Sequence, residues 1–195
     1  MKKINIFIHT YKVNDWKPIR DEQLEYINNS GLRDVSDVHI CHYDNELKTQ
    51  LDMWKHSKSN DSYYLYLHNL GITWQGTKYE KITERYRRWC MDGVVKNWKE
   101  YISYLDEYDV VGDNYEEDKL IGDENPTSQY KDIVYSKHWA NNNWWTKSSY
   151  VKKLENPLDY ENKFPKPLIR ISWETWICSN KGQFKEVRED FSLVP

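Results

Sequence analysis

The first third of the chain alternates short apolar runs with amphipathic segments. Residues 4–8 are largely apolar and rich in isoleucine, which predicts a buried strand. Residues 37–43 alternate apolar and polar side chains, and residues 62–68 form an aromatic and leucine-rich run, so both predict further strands. Residues 21–29 and 45–56 lie between these strands and carry apolar side chains at helical spacing, which predicts two helices.

This alternation predicts the fold class and the place of a ligand site. Strand, helix, strand, helix, strand with short connections is typical of a parallel sheet covered by helices. The first strand ends at His9, Thr10 and Tyr11, and the third ends at His68 and Asn69. Ligands bind where the carboxyl ends of such strands meet. We therefore predict an α/β fold with a mainly parallel central sheet flanked by helices, and a ligand site at these strand ends.

The rest of the chain contains one long helical pattern and several short elements. Residues 79–105 repeat apolar side chains every three or four positions, which predicts a long helix that Gly93 could break. Residues 109–113 predict a strand that ends in the carboxylate of Asp113, and residues 134–135 begin another strand. Further predictions are short helices at 147–154 and 173–180, an exposed loop at 116–129 and a peripheral charged tail at 185–195.

Composition limits the number of domains and the kinds of partner. At 195 residues and 23.8 kDa, we expect a single domain over residues 1–195, which could also be one domain of a longer enzyme. With 28 Lys and Arg against 31 Asp and Glu, the net charge of −3 argues against a general nucleic-acid-binding protein. The apolar run after Lys3 is interrupted at His9, too early for a signal peptide or a membrane span. We therefore expect a cytoplasmic protein with no integral membrane segment.

The three cysteines, Cys41, Cys90 and Cys178, are far apart and have no metal-ligand spacing. We interpret them as reduced thiols. The alternative is one disulfide with one free thiol, which would require an oxidising compartment.

The segment 138–145 is unusually dense in tryptophan and asparagine. Asn side chains offer paired donors and acceptors, and Trp offers a flat apolar face with one N–H, a mixture that suits the hydroxyls and rings of sugars. The alternative is a loop of Asn turns that is closed by tryptophans of the core. The residues alone leave both interpretations open.

Few residues elsewhere indicate a particular chemistry. The chain has no Gly-rich phosphate loop, no serine nucleophile elbow, no His-Glu-x-x-His and no paired cysteines, which disfavours hydrolase and kinase functions. Arg85, Arg87 and Arg88 could bind a diphosphate through bidentate hydrogen bonds, or form a solvated basic face. Glu174 lies between aromatic residues that would limit its hydration, which favours a general base, although a first-turn carboxylate stabilised by the helix dipole is the alternative.

Several motifs occur in an order that matches one group of known proteins. Residues 64–71, Tyr-Leu-Tyr-Leu-His-Asn-Leu-Gly, resemble a Tyr/Leu-His-Thr-Lys-Gly stretch, and residues 138–145 resemble His-x-Ser-Gly-Asn-Phe-Trp-Trp. Residues 86–89, 108–112 and 173–177 fall in the matching order. On these motifs the chain resembles a family of small glycosyltransferases of bacteria and large DNA viruses, and the likeness covers most of residues 4–180.

The resemblance implies a glycosyltransferase-A-like fold and transfer of a sugar from a nucleotide diphosphate, UDP or GDP, to an acceptor hydroxyl of a glycan. It assigns the nucleotide to His9, Thr10 and Tyr11, with Glu174 as catalytic base if the enzyme inverts at the anomeric carbon. The diphosphate and donor would contact His68, Asn69, Arg87 and Arg88. The sugar and acceptor would contact Asp113, His138, Asn141, Asn142, Asn143, Trp144 and Trp145.

The chain departs from the family pattern at the diphosphate. His68 and Asn69 stand where many such enzymes have an Asp-x-Asp that binds Mn²⁺ or Mg²⁺, so either Asp113 holds a divalent cation or cationic side chains replace it. Leu70 replaces a usual lysine, and Asn142-Asn143 replaces Ser-Gly. Two other hypotheses therefore remain: a non-catalytic carbohydrate-binding module, and a degenerate homologue that binds nucleotide without transferring sugar.

Overall fold

The predicted alternation of strands and helices is present in the structure, a computed structural model that describes residues 2–116, 119–120, 134–135 and 137–188. The first elements are β1 (Lys3–His9), α1 (Trp16–Asn29), β2 (Ser36–Cys41), α2 (Glu46–Ser57) and β3 (Ser62–His68). Each overlaps its predicted segment, and the main difference is that α1 begins earlier than the periodicity indicated. The local pattern therefore located these five elements.

Six strands form the central sheet. The later strands are β4 (Val110–Gly112), β5 (Tyr115–Glu116), β6 (Lys119–Leu120), β7 (Val134–Tyr135), β8 (His138–Trp139), β9 (Trp144–Lys147) and β10 (Phe184–Glu186). The sheet order is β10-β4-β9-β3-β1-β2, with β1 parallel to β2 and β3, and β10 parallel to β4. Strand β9 is antiparallel to both of its neighbours. The predicted α/β class with a mostly parallel sheet flanked by helices is confirmed.

Strand β9 explains the tryptophans of segment 138–145. Because β9 lies between β3 and β4, its successive side chains enter the cores on opposite faces of the sheet. Trp145 donates from Nε1 to the Val94 carbonyl at 2.7 Å, and Trp144 stacks on Tyr66 with ring centroids 4.9 Å apart. Both indoles are fully buried, as the alternative interpretation of this segment expected. Since neither ring has exposed surface, neither presents a face to the sugar and acceptor that the resemblance assigned to these two residues.

The long amphipathic segment is interrupted where Gly93 predicted a break. It consists of α3 (Glu80–Met91), a π-helical turn (Asp92–Lys96), α4 (Trp98–Ser103) and a 3-10 turn (Tyr104–Asp106). A Cβ at Gly93 would lie 2.1 Å from Arg188 Nη2 and 2.2 Å from Asp113 Oδ2. Close packing of the helix backbone against Arg188 and Asp113 therefore requires glycine at this position, and the π-helical turn accommodates that packing.

The start of the predicted peripheral tail is part of the sheet. Strand β10 pairs with β4, and beyond it Arg188 reaches the buried Asp113 with 2.5 Å between Nη2 and Oδ2. Residues 185–188 are therefore half-buried in the edge strand and just after it and do not form a tail outside the fold, because a charged side chain can be partly buried where it has a partner. Residues 189–195 lie outside the described residues, as do most of residues 116–129, where a loop was predicted.

The remaining helices are short and lie after β9. They are α5 (Ser148–Val151), α6 (Pro157–Glu161) and α7 (Ile169–Thr175), and the other 3-10 turns are Leu32–Val35, Ile72–Trp74, Lys166–Leu168 and Trp176–Cys178. The three cysteines are free thiols, as predicted. Among the helices of the described ranges, none has the length and apolar character needed to cross a membrane.

Candidate functional site

A cleft of about 190 Å³ opens at the carboxyl ends of β1 and β3. The parallel register of these neighbouring strands places His9 directly beside His68. Two strand-end residues, His9 and His68, line the cleft. The rest of the lining is Tyr11 after β1, residues 44–46 after β2, residues 69–74 after β3, and Arg170 and Trp173 of α7. The cleft therefore lies where the strand pattern predicted a ligand site.

His9 forms part of the cleft floor and is almost fully buried. Its Nδ1 is 3.0 Å from the hydroxyl oxygen of Thr49 on α2. Burial lowers the pKa of His9 to about 4, and the nearby carboxylate of Glu46 offsets this only in part. The imidazole is therefore neutral at pH 7 and has one nitrogen that can donate and one that can accept a hydrogen bond.

Glu46 is the carboxylate of the cleft floor. It lies in the first turn of α2, whose N-terminus is capped by Asn45 through the Lys48 N–H at 3.1 Å. The Tyr66 hydroxyl donates to Glu46 Oε2 at 3.2 Å, and Asn142 Nδ2 donates to the same oxygen at 2.5 Å. Burial alone would raise the pKa of Glu46, but His68, His9 and the Asn142 amide outweigh burial and lower it. The carboxylate is therefore ionised at neutral pH.

His68 is held at the end of β3 through its backbone. Its N–H donates to Asn143 Oδ1 at 3.1 Å, and its carbonyl accepts from Gln23 Nε2 at 2.8 Å. The ring Nδ1 is buried and has no hydrogen-bond partner among the described residues. A buried polar atom without a partner is rare in native proteins, so this nitrogen is a candidate contact for a ligand.

The loops after β1 and β3 are joined into one rim. Asn69 accepts from the Tyr11 N–H at 3.2 Å and donates to the Tyr11 carbonyl at 3.0 Å. Gln75 makes the same reciprocal pair with the backbone of Asp15, at 2.9 and 3.0 Å. The rings of Tyr11 and Trp74 stand partly exposed on this rim. The two loops are therefore held together by hydrogen bonds, and the aromatic rings on them offer apolar faces to a ligand.

Helix α7 contributes Arg170 and Trp173 to the wall of the cleft. Arg170 Nε lies 3.4 Å from Glu174 Oε1, one helical turn away, and the Arg170 side chain is 74% exposed. The Trp173 carbonyl accepts from Gln50 Nε2 at 2.7 Å, which fixes α7 against α2. Of the described residues that line the cleft, Arg170 is the only lysine or arginine. Glu174 lies beside the cleft and does not line it.

Arg87 and Arg88, predicted to bind a diphosphate, lie on α3 and line a depression of about 530 Å³ that shares Gly71 with the cleft. Both guanidinium groups contact the carboxylate of Glu22 on α1, each with 2.7 Å between Nε and the nearer oxygen. Arg87 also donates from Nη1 to the Leu70 carbonyl at 3.2 Å. In this arrangement the pair joins α1 to α3, and Arg87 also joins α3 to the loop after β3, which lines the cleft.

Asp113 is enclosed at the end of β4. The Tyr101 hydroxyl donates to Oδ1, Arg188 Nη2 donates to Oδ2, and Asp113 has no exposed surface. Within the part of the chain that the structure describes, no group of three or more His, Cys, Asp or Glu side chains is arranged to hold a metal ion. At Asp113 both carboxylate oxygens already accept hydrogen bonds from Tyr101 and Arg188, so this side chain has no oxygen left for the divalent cation that the resemblance suggested.

The polar residues before β9 are buried and divide into two groups. Asn142 and Asn143 reach the back of the cleft, where they bind Glu46 and the His68 backbone as described above. Asn141 and His138 do not line the cleft: Asn141 Oδ1 accepts from the Asn143 N–H at 2.9 Å, and His138 Nε2 is 3.9 Å from Glu116 Oε2.

Thr10, which was predicted to bind the nucleotide, is also buried and does not line the cleft. Its N–H donates to the Cys41 carbonyl at 2.8 Å.

Sequence reasoning missed Glu46, Arg170 and Trp173. For Glu46 a signal was present, since it follows the end of β2 by a few residues and β2 ends at the same edge of the sheet. The strand-end rule that selected His9 and His68 would have selected Glu46 too. For Arg170 and Trp173 no local pattern was available, because α7 reaches the cleft only through tertiary packing.

Comparison with known proteins does not identify this site. No protein-family model, curated protein or solved structure matches the chain. The function proposed for it therefore depends on its residues, their geometry and the resemblance of its motifs.

Proposed function

We propose that this protein is a nucleotide-sugar-dependent glycosyltransferase that moves a sugar to an acceptor hydroxyl of a glycan, with the cleft at the ends of β1 and β3 as its donor site. One observation carries the proposal. His9 and His68, selected from separate segments of the sequence, lie side by side on the floor of a cleft whose rim bears the partly exposed rings of Tyr11 and Trp74. The polar imidazoles can hydrogen-bond to a sugar, and the aromatic rings of the rim can stack on the base to which the sugar is linked.

The rim and the α7 wall suit different parts of a nucleotide diphosphate. Tyr11 and Trp74 provide flat faces on which a base can stack. Arg170 can bind the diphosphate through a bidentate contact, and its exposed side chain can reach toward the solvent side of the cleft. The glycosyltransferase-A-like arrangement suggested by the motifs is part of the proposal, and the mostly parallel sheet with helices on both faces is compatible with it.

The transfer step needs a base and a stabilised leaving group. The bond between the anomeric carbon and the diphosphate oxygen breaks and leaves its electron pair on the diphosphate, while the acceptor oxygen bonds to the carbon and loses its proton. Arg170 would stabilise the charge that develops on the diphosphate. In an inverting reaction Glu174 would accept the proton, and its ion pair with Arg170 holds it at the edge of the cleft.

Binding of the nucleotide tests the proposal directly. Isothermal titration with UDP, GDP and their hexose conjugates, with and without Mn²⁺, should give a specific complex with one base. Arg170→Ala should weaken that complex by about tenfold or more, because a charged hydrogen bond is lost. The matched control is Arg33→Ala, an exposed arginine on the 3-10 turn Leu32–Val35, which should leave affinity unchanged. If none of these nucleotides binds, the proposal is wrong.

A protein that binds sugar or nucleotide without transfer is the second candidate. The observation that favours it is the contact of the proposed base, Glu174, with Arg170 at 3.4 Å. Incubation of the purified protein with the nucleotide sugar that binds separates the two candidates, since a transferase slowly hydrolyses its donor. The Glu174→Gln variant should lose this hydrolysis and keep donor affinity. A wild-type protein that binds donor and never hydrolyses or transfers it supports the binding-only candidate.

A further inference from the structure

We infer that Glu46, His9 and His68 form a subsite for the hydroxyl groups of an uncharged sugar ring, and that the diphosphate of a donor lies outside it, toward Arg170. The assignment of the sugar to a nucleotide donor rests on the proposed function. The recognition of the ring by this floor depends only on the chemistry of the three side chains.

The carboxylate of Glu46 has one oxygen committed and one available. Both hydrogen bonds that the described residues donate to it, from Tyr66 and Asn142, converge on Oε2. Oε1 accepts none from the described residues, and Glu46 lines the cleft. An ionised carboxylate can only accept hydrogen bonds, so its natural ligand is a hydroxyl donor. The same carboxylate would repel a phosphate group placed at hydrogen-bonding distance, because both are negatively charged.

The two imidazoles complement the carboxylate. His9 uses Nδ1 on Thr49, which leaves Nε2 for a ligand, and its low pKa keeps the ring uncharged at pH 7. His68 Nδ1 is a buried nitrogen that lacks a partner among the described residues. Because His9 and His68 are register partners, these nitrogens lie at the ends of adjacent strands. A sugar hydroxyl both donates and accepts, so neighbouring hydroxyls could satisfy a carboxylate and an imidazole together.

Charge and size point to the same class of ligand. The charged side chains of the described lining are the carboxylates of Asp44 and Glu46 and the guanidinium of Arg170, so the lining has no cationic excess for a diphosphate to neutralise. The volume of about 190 Å³ is below the range of about 300–1,000 Å³ typical of pockets for drug-sized ligands. A single ring therefore fits the floor better than a whole nucleotide sugar, whose remaining parts would extend over the rim.

Ligand-observed NMR on the full chain tests this subsite. The probes are free glucose, galactose and mannose as neutral hexoses, glucuronic acid as the charged analogue, and inorganic pyrophosphate. Saturation-transfer signals report binding, and the imidazole proton resonances of His9 and His68, identified with the His9→Gln and His68→Gln variants, report its location. We expect at least one neutral hexose to bind and to shift both imidazoles. Glucuronic acid and pyrophosphate should not shift them.

Two variants and one control separate recognition from folding. Glu46→Gln keeps the size of the side chain and an acceptor for Tyr66, and should weaken hexose binding about tenfold through loss of a charged acceptor. His68→Gln should also weaken it and should not lower the unfolding midpoint, since the ring Nδ1 has no partner to lose. Asp37→Asn removes a carboxylate from the exposed edge strand, where it pairs with Lys3, and should change neither property.

The possible outcomes distinguish the subsite from the transferase proposal. Hexose binding at the imidazoles, with no binding of UDP or GDP in the same samples, would support the subsite and contradict the transferase. Nucleotide binding in which glucuronic acid or pyrophosphate is preferred at the imidazoles would overturn the subsite and leave the transferase standing. The subsite is also overturned if no hexose binds, or if Glu46→Gln and His68→Gln bind hexose as tightly as the wild type.

Discussion

Two acidic side chains occupy polar clusters on different parts of the molecule, and they differ in how completely their oxygens are used. Asp113 accepts from Tyr101 on one oxygen and from Arg188 on the other, and it has no exposed surface. Glu46 accepts both of its hydrogen bonds on Oε2 and lines an open cleft. A buried carboxylate with both oxygens paired has a structural role, because removing either partner leaves a buried charge without compensation. One with an oxygen left toward a cleft is a candidate for binding.

The first prediction removes the partner of the enclosed carboxylate. Arg188→Ala leaves Asp113 buried and without its cation, and should lower the free energy of unfolding by about 4 kcal/mol, as breaking a buried ion pair from one side does. Urea denaturation followed by tryptophan fluorescence measures the loss. Arg33→Ala, which removes an exposed arginine, should change stability by less than about 0.5 kcal/mol. A loss below 1 kcal/mol for Arg188→Ala would mean that water reaches Asp113.

The second prediction uses the low pKa of His9. In the unfolded chain the histidine titrates near 6.5, whereas in the fold it titrates near 4, because burial outweighs the favourable charges of Glu46 and Asp44. Between these values the unfolded state binds a proton and the folded state does not. Stability should therefore fall by about 3 kcal/mol from this residue as the pH decreases from 6.5 to 4.

The check is urea denaturation of the wild type and His9→Gln across that pH range. Glutamine retains a partner for Thr49 and does not titrate, so the variant should lack this part of the pH dependence. His68 and His42, which also lower the pKa of His9, are unchanged in both proteins. Parallel pH profiles for the two proteins would show that His9 is not desolvated as the cleft geometry implies.

The third prediction concerns the residue that connects the cleft to the core. Asn142 donates to Glu46 and accepts from Trp144 Nε1 at 2.8 Å, and its backbone has a φ of 45°. Asn142→Ala should lower stability by about 2 kcal/mol, since the buried indole N–H loses its partner and alanine resists this conformation. Asn142→Gly, which tolerates positive φ, should recover about 1 kcal/mol of that loss. Equal losses for both would exclude a backbone contribution.

The fourth prediction concerns the exposed wall of the cleft. Arg170→Ala removes a solvent-exposed ion pair with Glu174 and should change the free energy of unfolding by less than about 0.5 kcal/mol. Thermal unfolding of the variant and the wild type at low and high salt measures this change in stability. Together with the loss of ligand affinity proposed above, this result would separate a binding residue from Arg188, whose effect is on stability. A large destabilisation would instead show that Arg170, like Arg188, stabilises the fold.

Local periodicity was enough to predict the first five elements of the fold and part of the cleft. The strands at residues 4–8 and 62–68 were correctly located because a strand between covered faces requires a nearly continuous apolar run. Their polar ends, His9 and His68, followed from the rule that such strands deliver ligand contacts at their carboxyl ends. The break at Gly93 was visible because glycine interrupts an otherwise regular helical pattern.

The two arginines and the tryptophan pair could not be assigned from the sequence. Arg87 is paired with Glu22, a residue far away in the chain, so its local surroundings on a helix gave no sign that the guanidinium was already used. Trp144 and Trp145 belong to a strand that is inserted between β3 and β4, and a short strand of this kind has no periodic signal of its own. Composition alone could not separate an exposed aromatic face from a buried one.

The order β1, α1, β2, α2 and β3, and the edge of the sheet at which polar side chains collect, follow from local sequence because they depend on residues close together in the chain. Which of these polar groups are available to a ligand depends on contacts between distant segments. Parallel register placed His9 beside His68, packing of α2 brought Glu46 to the same cleft, and Arg188, which follows β10, enclosed Asp113. Such pairings join distant segments, and the free energy that selects them comes from burial and long-range hydrogen bonds.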